Sequence, residues 1–344
     1  MKMMKCDYDR EKHQTITYEG SGFKYEFIAD FAQNLPPHLR WSDSASVAGG
    51  MVDQDDNVIV CFRGVPNPFV KLAPDGNYID AFGAGLVKAC HFGAVSPEGT
   101  ILISDIPVHA VREFDPATGE VIRDLGNYGK ASDSGFNGNY YNEQRRMGYL
   151  YPPEPYMRIP MLTALTEAER NTIKRCAEPF NRPTDVAFNS KGQIFVSDGY
   201  GNCAVHRFSR DGKLEKTWGG VGDEPGKFLM VHTLTVDSKD QVWVCDRDLN
   251  AVHVFDADGN VLAYCKGNLG QPSGIDTDGK YIYVVGRGGY LTIFTPEFEI
   301  VAQIGYFNSE LRAHDLAVNS KGDIFLFPTT ATEDHQIIQL KRIK

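Results

Sequence analysis

The 344-residue sequence predicts an all-β chain closed as a six-bladed β-propeller. Three observations predict it: a hairpin signature recurs six times, its period is about 42 residues, and each period has room for four short strands joined by Gly- and Asp-rich turns. The hairpin is plainest in Asp185 to Asp198, DVAFNSKGQIFVSD, where two alternating strands flank a polar turn. GMVDQDDNVIVCF, GAVSPEGTILISD, TLTVDSKDQVWVCD, GIDTDGKYIYVVG and DLAVNSKGDIFLFP repeat it. Their last residues, Phe62, Asp105, Asp198, Asp246, Gly286 and Pro328, are separated by 43, 93, 48, 40 and 42 residues.

A third and fourth strand follow each hairpin, most clearly in AVHRFSRDGKLEKTWGG (Ala204 to Gly220) and AVHVFDADGNVLAYC (Ala251 to Cys265). Six such sheets close a ring with no long exposed edge. Residues 22 to 30, GFKYEFIAD, alternate and are expected to complete the last blade beside His335 to Ile343. The whole chain, 1–344, then reads as one propeller domain. The long interval holds an insertion, residues 129–181, between the second and third blades. It is rich in Tyr and Pro, and Thr166 with Glu169 forms a capping box that predicts a short helix to about Ala177. An insertion of this kind serves as a lid, as a partner or oligomer surface, or as a tolerated decoration.

Composition narrows the function classes. Hydrophobic residues make up 42% and charged residues 23%, which excludes disorder as the main state. A net charge of −10 lacks the broad positive field that phosphate backbones and anionic lipids require, so neither nucleic acid nor a membrane is an expected partner. The first fifteen residues hold no apolar run, and the seven Cys form no CxxC pair. Both readings point to a cytoplasmic chain with buried free thiols.

Counting back 14 residues from each hairpin end reaches Ala48, His91, Thr184, His232, Pro272 and His314. Three of nine histidines thus share one register position, in alternate blades, just before the strand that lines a propeller's channel. Three imidazoles around one axis form the ligand set of a metal site with an open position, suited to zinc and also to iron or cobalt. The residues after the hairpin ends are Arg63, Ile106, Gly199, Arg247, Arg287 and Thr329, with Tyr200 one further on. They are expected at the same mouth. A phenol among cations is a usable general base, and arginines there can clamp a substrate carboxylate.

The segments NRPTDVAF and IFVSDGYGN, with KFLMVHTLTVD, VWVCDRDLNAVHVFDADG and RAHDLAVNSKG, resemble the NHL-repeat propeller of peptidyl-α-hydroxyglycine α-amidating lyase over roughly residues 45 to 344, the insertion apart. The resemblance implies a zinc held by the histidines of CHFGAV, VHTLTV and AHDLAV, which are His91, His232 and His314. It also implies catalytic roles for Tyr200 in SDGY, Arg63 in FRG and Arg247 in CDRD. A structural calcium would fall on the carbonyls of Gly50 and Gly93 and on Asp315. Arg312 stands where that family has a Met, and Gly201 where its secreted members have a Cys. Arg312 or Arg287 is the expected clamp for a carboxylate-bearing small molecule.

The reading is a zinc-dependent lyase that cleaves the C–N bond of a carbinolamide or related N-substituted α-hydroxy compound. A hydrolase or isomerase using the same metal, and a non-enzymatic interaction scaffold, remain the alternatives.

Overall fold

Six sheets carry nearly all the regular structure of the residues described by this computed structural model, which are 1–3, 19–20, 22–39, 46–138, 169–328 and 337–343. Each is built on four antiparallel strands. The innermost strands are Ser46–Val52, Cys90–Val95, Asp185–Phe188, Val231–Val236, Pro272–Thr277 and Asp315–Val318, in blades one to six. One cavity of about 330 Å³ runs along them and is lined from all six blades, by Gly50, Gly93, Asp185, Leu234, Ile275 and Asp315 among others.

Every residue of the second strands Ile101–Asp105, Ile194–Asp198, Val242–Asp246 and Ile282–Gly286 is buried. The alternation expected there gives way to burial on both faces, because neighbouring blades cover each face of these strands. Apolar clusters fill the gaps; Trp243, for example, packs with Phe294 and Ile282 between blades four and five. Outermost strands such as Tyr78–Phe82 and Val121–Gly126 stay half-exposed.

Ring closure follows the expectation. Phe23–Ile28 pairs antiparallel with Ile338–Arg342, with Phe27 opposite Leu340, so the start of the chain completes the blade that its end begins. Phe23 is 5% exposed and packs in the cluster of Tyr283, Leu326 and Leu340. Phe23→Ala should therefore cost about 3–5 kcal/mol. A drop in the urea midpoint with no change of slope would show it; a midpoint unchanged would remove the closing strand from the cooperative unit.

Two expectations need correction. Residues 169–170 are helical, but the chain turns irregular from Asn171, so no helix reaches Ala177. Backbone bonds from Lys174 and Arg175 N–H to Ser134 O tie this stretch across the insertion instead of into a helical ladder. Thr166 and the tyrosines Tyr140 to Tyr156 lie outside the described residues, as do His13, His335 and Thr329. Five cysteines are free (Cys61, Cys90, Cys176, Cys203 and Cys245), but Cys265 is disulfide-bonded, so cysteine usage no longer argues for a reducing compartment. Its strand, Val261–Lys266, pairs in parallel with Lys2–Met3, an N-terminal addition to blade four that local sequence could not show. Among the described residues no helix is long and apolar enough to cross a membrane.

Candidate metal centre

Asp105 and Asp246, the last residues of two hairpins, explain how His91 and His232 are presented. The Asp105 carboxylate accepts the N–H groups of Lys88 and Ala89, and that of Asp246 accepts those of Leu229 and Met230. Each thereby staples down the segment entering the innermost strand. A bulge then falls between Cys90 and Gly93, and another between Val231 and Thr233, so His91 and His232 sit on displaced backbone. Bulges re-aim a side chain out of the ladder, and here they turn both imidazoles to the axis.

His91, His232 and His314 meet there. Their ring centroids are 5.1, 5.0 and 4.9 Å apart, and one ligand nitrogen from each lies within 4.8 Å of the others. Each Nδ1 lies against a main-chain carbonyl of the next blade: His91 on Thr184 O at 2.7 Å, His232 on Ser273 O at 2.7 Å and His314 on Ala48 O at 2.6 Å. A carbonyl only accepts, so every Nδ1 is the donor and every Nε2 carries a lone pair. Burial holds His91 and His232 well below the usual imidazole range and His314 at about 3, so all three are neutral. The Tyr200 hydroxyl lies 2.7 Å from His91 Nε2 and 3.2 Å from His232 Nε2. Three inward lone pairs therefore have one hydroxyl proton between them, and this donor set fits a bound cation.

The sequence-predicted neighbours fall around this point unevenly. Gly199 lets the Tyr200 loop approach, since a Cβ there would collide with Val231 O. Arg247 is 9% exposed and contacts Tyr200; burial opposes its charge, but Tyr200 and Asp248 outweigh that and raise its pKa. Arg63 donates Nε–H to Cys90 O at 2.7 Å, while one terminal nitrogen is buried without a partner among the described residues. Arg287 and Arg312 are exposed, and Arg287 is near enough to Arg247 and Tyr200 for their charges to act on it.

Three contributors were not visible in the sequence. Phe92, fully buried, packs under the histidines with centroids 3.8 to 5.3 Å away and separates them from the 330 Å³ channel. Asp248 accepts Arg247 Nε–H at 3.0 Å and also pairs with Arg170 of the insertion. The insertion grips the Tyr200 loop as well, through Ser134 to Gly201 O and through Asn202, which donates to Ala177 O at 2.7 Å.

Beyond Phe92 the channel is acidic. Asp185, Asp276 and Asp315 line it, and among the described residues no Lys or Arg does. Asp315 accepts Gly50 N–H at 3.1 Å, and burial, then Asp185, raises its pKa well above the usual range. Burial pushes Asp276 to about 7 despite two backbone donors. A carboxyl raised in the folded state adds stability below its unfolded value of 3.8, and that stability fades as pH rises through about 7. Chelator-treated protein should thus melt at a lower temperature at pH 8 than at pH 5, and Asp276→Asn should narrow the gap; parallel curves would refute the assignment.

The NHL repeat model matches residues 180–208, the segment that carries Tyr200. Peptidylglycine alpha-amidating monooxygenase of Rattus norvegicus is 28% identical over 224 residues, 62% of this chain and 21% of that protein. A probable peptidyl-alpha-hydroxyglycine alpha-amidating lyase of Caenorhabditis elegans is 24% identical over 283 residues, 76% of this chain and 67% of the relative. The chain thus spans about a fifth of the length of the monooxygenase relatives, 21% and 23% in rat and mouse. Virginiamycin B lyase from Staphylococcus aureus superposes with a TM-score of 0.53 at 13% identity, covering 93% of this chain and 99% of that one, which shows the fold alone. The chain is a six-bladed propeller that carries an NHL repeat and resembles the peptidyl-α-hydroxyglycine α-amidating lyases in sequence.

Proposed function

We propose that this chain is a metal-dependent lyase acting on an N-substituted α-hydroxy compound, of the carbinolamide or α-hydroxyglycine class, and splitting its C–N bond into an amide or amine and a carbonyl product. The observation that carries the reading is the set of three inward Nε2 lone pairs served by one hydroxyl proton. Sequence similarity to amidating lyases supports the substrate class.

His91, His232 and His314 would hold the cation through Nε2, with zinc the first candidate and iron or cobalt suited to the same donors. When bound it supplies Lewis-acid polarisation of the substrate hydroxyl. The Tyr200 oxygen, beside two of the ligands, takes the hydroxyl proton. As the C=O bond forms, the C–N bond breaks and its electron pair stays on nitrogen, which receives from Tyr200 the proton taken from the hydroxyl. Arg247 holds negative charge on the Tyr200 oxygen. The unpartnered nitrogen of Arg63, with Arg287 or Arg312 at the rim, receives a substrate carboxylate. Gly50 O, Gly93 O and Asp315 would take a structural calcium, and an acidic channel with no lining cation suits a hard ion.

The test is incubation of metal-loaded protein with N-acyl-α-hydroxyglycine. Release of glyoxylate and the primary amide in equal amounts is expected. Absence of glyoxylate at high protein concentration would reject the lyase and leave hydrolysis or isomerisation to be assayed.

A further inference from the structure

Beside the metal mouth lies a second cavity, of about 260 Å³, that no step of the proposed reaction uses. Ile173, Cys203, Phe228 and the rim residues Val221 and Leu229 give it apolar walls. Val221 is 49% and Leu229 40% exposed, so this apolar face opens to solvent. Its charged members, Arg170 and Asp248, pair with each other, and Asp248 also holds Arg247, so neither side chain offers an uncompensated charge.

One wall residue, Asp248, links the cavity to the reaction centre. Asp248 in its wall bonds Arg247, which contacts Tyr200, whose hydroxyl lies against His91 and His232. Cys203 follows Tyr200 by three residues and Leu229 precedes His232 by three. The volume exceeds the roughly 150 Å³ that accommodates a benzene ring and falls short of the roughly 300 Å³ at which drug-sized sites begin. One ring or one branched aliphatic group fits; a folded peptide segment does not.

We propose that this cavity is the subsite for the group carried on the substrate's nitrogen, and that it selects an uncharged aromatic or branched apolar N-acyl substituent. The inference rests on the lyase reading for the identity of its occupant. With the acyl group in the cavity, the reacting carbon faces Tyr200 and the three histidines, and the carboxylate faces the arginines.

The test uses the full chain and two stable probes that cannot react, N-benzoylglycine and N-acetylglycine, in equilibrium binding, followed by KM for the corresponding α-hydroxyglycines. Wild type should prefer the benzoyl probe by about 10-fold or more, the scale by which apolar pockets discriminate. Leu229→Asp and Val221→Asp, both at exposed rim positions, should each bring that ratio close to one while metal content stays at the wild-type level. The KM ratio should follow the binding ratio. Equal affinity for the two probes in wild type, binding of neither, or a benzoyl preference that survives both substitutions would overturn the subsite. A benzoyl preference abolished by the substitutions, without turnover of either α-hydroxyglycine, would support the cavity and reject the lyase; turnover without the preference would reject the cavity alone.

Discussion

His232→Ala is expected to abolish both tight metal binding and lyase turnover. Loss of a supporting group costs a metal site about 10–100-fold in affinity, and loss of one of three ligands should cost more. His232 is fully buried and its Nδ1–H satisfies Ser273 O, so the Ala variant also leaves a buried carbonyl without its donor. His232→Asn, whose amide nitrogen takes the place of Nδ1 beside that carbonyl, controls for folding. Both variants should bind metal weakly, and the Asn variant should melt closer to wild type. Metal stoichiometry after gel filtration, with a thermal melt on the same sample, reads the two effects separately. A His232→Ala protein that retains one equivalent of metal would contradict the ligand assignment.

Tyr200→Phe should do the opposite: keep the metal and lower kcat by about 100-fold or more, the scale of a lost acid–base group. The hydroxyl hydrogen-bonds to two of the three proposed ligands, at 2.7 and 3.2 Å, without being one of the ligands. Its removal takes no nitrogen from the cation. Steady-state rates beside metal analysis check it, and a fully active Phe variant would remove Tyr200 from the mechanism.

The architecture was legible because each hairpin is a local pattern, and six copies in phase reveal what one would not. Phase also picked out the histidines: His91, His232 and His314 share a register position, and the carbonyl partners include Thr184 and Ala48, the residues at that same position in the following blades. Features that depend on ring closure were not legible. The bulge at Val231/Thr233 has no Gly or Pro to announce it, and Phe92 reads as an ordinary strand residue until the channel closes over it. Asp248 carries no signal of its own in the sequence, because the Arg170 that clamps it arrives from an insertion 78 residues away in sequence. The helix stops short of Ala177 for a related reason: the capping box is a local signal, and backbone bonds from Lys174 and Arg175 to Ser134 across the insertion end it.

The most direct test is a crystal of zinc-loaded protein with anomalous data collected on both sides of the zinc edge. One peak on the channel axis, about 2.0–2.1 Å from Nε2 of His91, His232 and His314 and with the Tyr200 oxygen beside it, is the predicted result. Zinc bound elsewhere, or an axis without a peak while the Tyr200 hydroxyl stays hydrogen-bonded to His91, would contradict the account.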